Sequence, residues 1–268
     1  MKIKKIRPPF KIHGGKWYLC EWIIDNFPKN YENLIYVEPF GGAASVLLNK
    51  KPSIKEVYND LYGPTANIFN ILKSNPKQFC DIINGIQYDL KSFSEAKDVV
   101  FEYGSIESAI SELILRRMSR GGMKKTFSWS ERIRGGRPGD LNAWETFKTI
   151  LPVICKRMEK VDVFSCNALD LLEEYLDEKG CLIYLDPPYL FETRTAKSVY
   201  DCEMENKDHE KLSELLKVAK CKILLSCYDC NLYRKCYKNW NWLCKNMPNN
   251  SGQNKTKNRR IEILIKNY

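Results

Sequence analysis

The residues with the clearest chemical potential in this sequence are Asp186-Pro187-Pro188-Tyr189, which close the apolar run Cys181-Leu-Ile-Tyr-Leu185. An acid at a strand end, followed by two prolines that stiffen the chain and remove two backbone donors, leaves carbonyl acceptors beside a carboxylate and an aromatic ring. That set suits a flat ring with an exocyclic amine, which brings two N–H donors and a face to stack. Two further segments have the same layout. Tyr36-Val-Glu38-Pro-Phe40-Gly41-Gly42 leads from a short apolar stretch into a Gly-Gly turn, where backbone can approach a ligand closely and offer N–H groups. It lacks the G-x-G-x-x-G spacing of dinucleotide-binding folds, which disfavours a dehydrogenase. Asn59-Asp60-Leu61 closes the next apolar run. An acid there can accept bonds from ribose hydroxyls, or it can cap a helix.

Such residues act together only if neighbouring strand ends hold them side by side. Short strand candidates at Asn33–Glu38, Ile54–Tyr58, Val161–Phe164, Cys181–Leu185 and Lys222–Ser226 alternate with helical patterns at Ala43–Leu48, Ala66–Lys73 and His209–Ala219. The alternation predicts an α/β fold with a parallel sheet, which binds ligands at the carboxyl ends of its strands. Between Ser74 and about Ile150 the rhythm stops. Ser105–Arg117 there carries a helical pattern of Ile106, Ala109, Ile110, Leu113 and Ile114. The expected division is therefore a first core segment over residues 1–73, an insertion over 74–150, and a second core segment over 151–268.

The chain has 268 residues, with 43 Lys and Arg against 33 Asp and Glu, a formal charge of +10. An excess of that size favours a polyanionic partner such as nucleic acid. From Arg116 to Arg137 eight basic residues face one acid, Glu131, with two Gly-Gly pairs, Phe127 and Trp129 between them. This reads as a loop or hairpin able to follow a phosphate backbone. Further basic clusters lie at Lys2–Lys16 and at Lys255, Lys257, Arg259 and Arg260, just before the strand-like run Ile261–Ile265. Eleven cysteines, an odd number, and no secretory signal point to reduced thiols. Cys227, Cys230, Cys236 and Cys244 lack a second C-x-x-C and have no histidine nearby, so no metal site is expected. No apolar run approaches the roughly 20 residues of a membrane span, and a cytoplasmic protein is expected.

In this combination the chain resembles the Dam-like, D12-class DNA adenine N6-methyltransferases, which use S-adenosylmethionine. Four motifs carry the likeness in the family's order: Phe10-Lys-Ile-His-Gly-Gly-Lys16, Val37-Glu-Pro-Phe-Gly-Gly42, Asn59-Asp60-Leu61 and Asp186-Pro-Pro-Tyr189. A narrower likeness to phage and prophage members covers Arg117-x-Ser-Arg-Gly-Gly122, Trp129-Ser-Glu-Arg-x-Arg-Gly-Gly136, Pro138-Gly-Asp-Leu-Asn-Ala-Trp144, Glu192-Thr-Arg194, Val199-Tyr200 and Leu225-Ser-x-Tyr-Asp229. The resemblance implies a Rossmann-like methyltransferase domain with an inserted, mainly helical target-recognition domain.

It also implies transfer of a methyl group from S-adenosylmethionine to N6 of a flipped-out adenine in double-stranded DNA, leaving S-adenosylhomocysteine and needing no metal. Asp186, Pro187, Pro188 and Tyr189 are then catalytic, with Asp186 and the Pro187 carbonyl accepting from the amine and Tyr189 stacking on the base. The cofactor falls to Ile12, Lys16, Glu38, Phe40, Gly41, Gly42, Asp60, Leu61, Asn167, Ala168 and Asp186. Arg116, Arg120, Lys124, Lys125, Arg132, Arg134 and Arg137 are the candidates for DNA. Members serve restriction-modification systems and phages, and a monomer or weak dimer is expected. The alternatives are an N4-cytosine DNA methyltransferase and, from another class, a catalytically silent DNA-binding module.

Overall fold

A computed structural model describes residues 5–194, 199–248 and 259–268, without the side chain of Arg134. Lys2 and Lys4 of the first basic cluster, and Lys255 and Lys257 of the third, lie outside the described residues. In chain order the elements are α1 (Cys20–Asp25), β1 (Ile35–Glu38), β2 (Lys55–Asn59), α2 (Gly63–Ser74), α3 (Pro76–Gly85), α4 (Leu90–Asp98) and α5 (Ile106–Arg117). They continue with β3 (Ile133–Arg134), β4 (Arg137–Pro138), α6 (Gly139–Met158), β5 (Val161–Phe164), α7 (Ala168–Glu173) and β6 (Cys181–Leu185). The last are α8 (Asn206–Lys217), β7 (Lys222–Cys227), α9 (Asn231–Cys236), β8 (Asn241–Pro248) and β9 (Arg259–Lys266).

Seven strands form one sheet in the order β5-β2-β1-β6-β7-β9-β8. The first five in that order pair in parallel, and β9 and β8 add an antiparallel edge. Alternation along each strand sends side chains to opposite faces, and both faces are covered. Tyr36, Tyr58, Leu182 and Tyr184 enter one hydrophobic layer with α1 to α6. Val37, Val57, Ile183 and Leu185 enter the other, with α7, α8 and α9. Burial on both sides explains why these strands read as apolar runs in the sequence.

The chain leaves β1 for β2 on one side and places β6 on the other, so the order reverses between β1 and β6. This is the crevice where open α/β sheets bind ligands. Val37 is level with Ile183 and Glu38 with Tyr58. Glu38 therefore ends one strand, Asn59 the next, and Asp186 follows the third. Glu38 follows Tyr36 by two residues and Asp186 follows Tyr184 by two, which aims both carboxylates toward the layer that holds α2 and α5.

The helix expected over Ala43–Leu48 is instead a run of turns. Gly42 (φ 48°) and Ala44 (φ 56°) are left-handed, and the N–H of Leu47 is donated to Glu38 Oε2 rather than into a helical ladder. The remaining strands and helices lie within a few residues of their expected positions.

The helices between residues 74 and 150 do not enclose a separate interior. Phe79 and Ile83 of α3, Phe93 of α4, Leu113 of α5 and Trp144 and Phe147 of α6 belong to the same hydrophobic cluster as Tyr36 and Leu182 of the sheet. The last of them, α6, runs past residue 150 to Met158, and Arg157 near its end pairs with Glu56 of β2 at 2.5 and 2.7 Å. Beyond α5 the basic segment is anchored as well. A Cβ at Gly122 (φ 76°) would lie 2.0 Å from the carbonyl oxygen of Lys11, so this glycine permits close packing on the N-terminal segment. The hairpin β3–β4 turns through Gly135 and Gly136, with φ of 61° and 79°, as a two-residue turn with left-handed central residues requires. Arg132, Ile133 and Arg137 are exposed on it.

Candidate active site

One cavity opens at the carboxyl ends of β1, β2 and β6, lined among others by Ile12, Lys16, Glu38, Gly41, Asp60 and Asp186. The loop after β1 is shaped from below by Tyr58. A Cβ on Gly41 would lie 2.1 Å from that ring, and the Tyr58 hydroxyl donates to the Gly42 carbonyl at 2.7 Å. Asp60 holds the loop from the side: its Oδ2 accepts from the N–H of Gly42 at 2.8 Å and its Oδ1 from that of Tyr62 at 2.9 Å. Burial raises its pKa to about 6.

Glu38 is 2% exposed. Its Oε2 accepts from the Tyr36 hydroxyl at 2.7 Å and from Leu47 N–H at 3.1 Å. Burial, which outweighs these bonds, raises its pKa to about 8. Asp186 is also raised, to about 6, chiefly by burial and against the opposing pull of Lys16. The Lys16 ammonium lies 2.7 Å from Asp186 Oδ1 and donates to Gly14 O at 2.7 Å. Its geometry leaves Oδ1 without a directed hydrogen bond among the described residues. Perturbed carboxylates gathered in one crevice make it a candidate reaction centre.

Pro187, Pro188, Phe40, Gly42 and Leu61 line the same cavity, whereas Asn167, Ala168 and Tyr189 do not. Asn167 is exposed and caps α7, accepting from the N–H of Leu169 at 2.9 Å. Ala168 is buried. Tyr189 is buried with its ring against Tyr228 (centroids 4.6 Å) and under the Lys16 ammonium (4.8 Å). The aromatic rings at the cavity wall are those of Phe40, Tyr62, Tyr184 and Tyr200.

Residues 13–249 match the family model of the D12 class N6 adenine-specific DNA methyltransferases. The chain belongs to this family. The methyltransferase is also similar to the Type II methyltransferase M1.LlaDCHI of Lactococcus lactis subsp. cremoris, at 24% identity over 98% of this chain and 96% of that protein. It is accordingly an adenine-specific DNA methyltransferase, and membership implies S-adenosylmethionine as methyl donor and DNA as substrate.

The basic segment of the methyltransferase divides in two. Arg120, Lys125, Arg132 and Arg137 are exposed, while the Arg134 side chain is outside the described residues. Arg116 is 2% exposed, and its Nε donates to Glu112 at 2.7 Å and its Nη2 to Asp201 at 2.6 Å. Lys124 is also engaged internally, with Asp201 at 2.8 Å and Glu112 at 3.2 Å. These two cations are spent on carboxylates and do not present free charge to a phosphate backbone.

The segment Tyr200–Met204 lines the cavity; only Tyr200 of it falls within a motif of the resemblance, and no motif assigns it a role. His13, at the cavity mouth, stacks edge-on with Tyr200 (centroids 5.5 Å). His209 is buried away from the cavity and bonded to the Tyr233 hydroxyl at 2.7 Å, with burial lowering its pKa to about 4. Among the described residues no group of three or more His, Cys, Asp and Glu side chains is set to hold a metal ion, and all eleven cysteines are free thiols. No helix among the described residues is long and apolar enough to cross a membrane.

Proposed function

We propose that the methyltransferase seats S-adenosylmethionine across the Gly41-Gly42 loop, between Glu38, Asp60 and the Ile12–Lys16 segment, and receives a flipped-out adenine of double-stranded DNA at Asp186-Pro187-Pro188. The observation that carries this reading is the placement of Glu38 and Asp186 at adjacent strand ends, aimed to the same side and lining one cavity. The residues fit the donor. Glu38, Asp60 and Asp186 make a wall of carboxyl groups that a cation would draw into the ionised form, and Glu38 receives both of its protein hydrogen bonds on Oε2, leaving Oε1 without one. Bound there, the donor supplies an electrophilic methyl group on a sulfonium.

The protein's task lies with the amine, whose lone pair is delocalised into the purine ring. The Asp186 carboxylate and the Pro187 carbonyl accept the two N6–H bonds. This holds the nitrogen in line with the methyl and stabilises the positive charge that develops on it; as the N–C bond forms and S-adenosylhomocysteine leaves, the surplus N6 proton passes to the Asp186 carboxylate that already accepts it and from there to solvent. The Lys16 ammonium, 2.7 Å from Oδ1, favours the charged carboxylate that this requires. Tyr189 supports the site from below through Lys16, and stacking on the base is assigned to a ring of the cavity wall.

The base leaves the duplex at a cost of a few kcal/mol, which phosphate contacts and stacking offset. Arg120, Lys125, Arg132, Arg134 and Arg137 are proposed to make those contacts, and the segment 74–150 with its hairpin to read the target between core segments 1–73 and 151–268. The Type II name of the Lactococcus relative supports a place in a restriction-modification system.

Replacing Asp186 by Ala tests the assignment. Methyl incorporation into DNA is lost while DNA binding persists; methylation at the wild-type rate overturns it. Methylation-sensitive long-read sequencing of a host that expresses the enzyme reports the modified base and its sequence context together.

A further inference from the structure

Asp201 has no part in the roles above, yet it lines the cavity. Both of its carboxylate oxygens are taken by cations from the basic segment. Arg116 Nη2 lies 2.6 Å from Oδ2 and Lys124 Nζ 2.8 Å from Oδ1. The same two cations converge on Glu112 Oε1, at 2.7 and 3.2 Å. Arg116 also donates to Thr65 Oγ1 at 3.2 Å, and Lys124 to the Tyr62 hydroxyl at 2.9 Å.

Two cations and two carboxylates thus form a neutral network, buried at Arg116 and Glu112 and partly open to solvent at Lys124 and Asp201. Tyr62 and Thr65 belong to the start of α2, immediately after Asp60. Asp60 in turn holds both Tyr62 N–H and Gly42 N–H. A chain of contacts leads from the basic segment through Lys124 to the Tyr62 hydroxyl and, through the body of Tyr62 and its N–H, to Asp60 and the Gly41-Gly42 loop, with Asp201 clamped at its head. Charge-assisted bonds of this kind are stronger than neutral ones, and a shared network fails as a unit.

We propose that Asp201 is a positioning residue for methyl transfer: by holding Arg116 and Lys124 it fixes the cavity wall around residues 200–204 against α2 and α5, so that the methyl donor meets a preformed site. Preorganisation of this kind raises affinity by removing the cost of ordering the wall on binding. The proposal rests on the seating of S-adenosylmethionine given above.

The test is the affinity of the full-length protein for S-adenosylmethionine, measured by calorimetry without DNA, alongside thermal unfolding of each variant. Asp201→Asn and Lys124→Met should each weaken binding by about ten-fold, the scale of one charged hydrogen bond. Lys124→Arg, which can still reach Asp201, should stay within about two-fold, and the double variant Asp201→Asn/Lys124→Met should be no weaker than Asp201→Asn alone, as for two partners in one interaction. If Asp201→Asn fails to fold, Lys124→Met and its Arg counterpart decide, because Arg116 still pairs with both Glu112 and Asp201 when Lys124 is replaced. Binding by Lys124→Met at wild-type strength, or losses that multiply in the double variant, would overturn the proposal. Glu38→Gln separates it from the seating: if that variant also binds normally the seating fails, and if it loses binding while Asp201→Asn does not, only the role of Asp201 fails.

Discussion

The side-chain amide of Asn59 grips the backbone of Cys166 from both directions, donating to its carbonyl at 3.0 Å and accepting from its N–H at 2.9 Å. The same Nδ2 donates to the carbonyl of Pro39 at 2.9 Å. One buried side chain thereby ties the ends of β1, β2 and β5 together behind the Gly41-Gly42 loop.

Removing it strands several buried backbone groups at once. Asn59→Ala should lower stability by about 3 kcal/mol, read as a shift of the urea midpoint, and should weaken S-adenosylmethionine binding through the loosened loop. A change below about 0.5 kcal/mol, the usual range for surface substitutions, would show that these ends are held by other contacts.

The pH dependence of methylation follows from the charge on Asp186. Its pKa is raised to about 6 by burial, and the proposed role needs the charged carboxylate, which stabilises positive charge on the amine as the neutral acid does not, so the rate should fall as the pH drops through about 6. Lys16→Met removes the neighbouring cation that holds the value down, and the acidic limb of the profile should move up by about one pH unit or more. A profile unchanged by Lys16→Met contradicts the coupling.

Binding of the donor should release a proton. With its pKa near 8, Glu38 is largely protonated at pH 7 in the free protein, and a cation placed beside it favours the ionised form. Calorimetric titrations at pH 7 in buffers of differing ionisation enthalpy should show release approaching one proton, fading above about pH 9 as Glu38 ionises unaided. Equal heats in all buffers at pH 7 count against Glu38 as the partner of the cation.

Salt dependence of DNA binding separates the exposed arginines from the internal one. Arg132→Ala and Arg137→Ala should each weaken binding and reduce the log–log salt slope by about one unit. Arg116 is already compensated by Glu112 and Asp201, so Arg116→Met should leave the slope unchanged. Slopes that respond to Arg116 but not to Arg132 or Arg137 would put the DNA elsewhere.

Much of this arrangement was legible in the sequence because it depends on local patterns. Cys181–Leu185 reads as a buried strand because both faces of a parallel sheet demand apolar residues, and a strand followed by Asp-Pro-Pro-Tyr leaves few alternatives. The loop after β1 departs from its local pattern: the composition of Ala43–Leu48 favours a helix, but Gly42 and Ala44 adopt left-handed backbone and Glu38 captures the Leu47 N–H. The internal use of Arg116 and Lys124 was hidden, since their partners Asp201 and Glu112 lie far away in sequence or read as an ordinary helical acid. Tyr200–Met204 had no motif strong enough to single out Asp201.

The hydrophobic layer that α3 to α6 share with the sheet limits how this enzyme can be altered. A cassette cut at residues 74 and 150 could not be exchanged between relatives without opening the hydrophobic layer it shares with α1, α2 and the sheet, and it would sever α6 in mid-helix. Unfolding should be a single cooperative event rather than the sequential melting of two modules. If the hairpin reads the target as proposed, retargeting is confined to what projects from that layer, above all the turn of β3–β4.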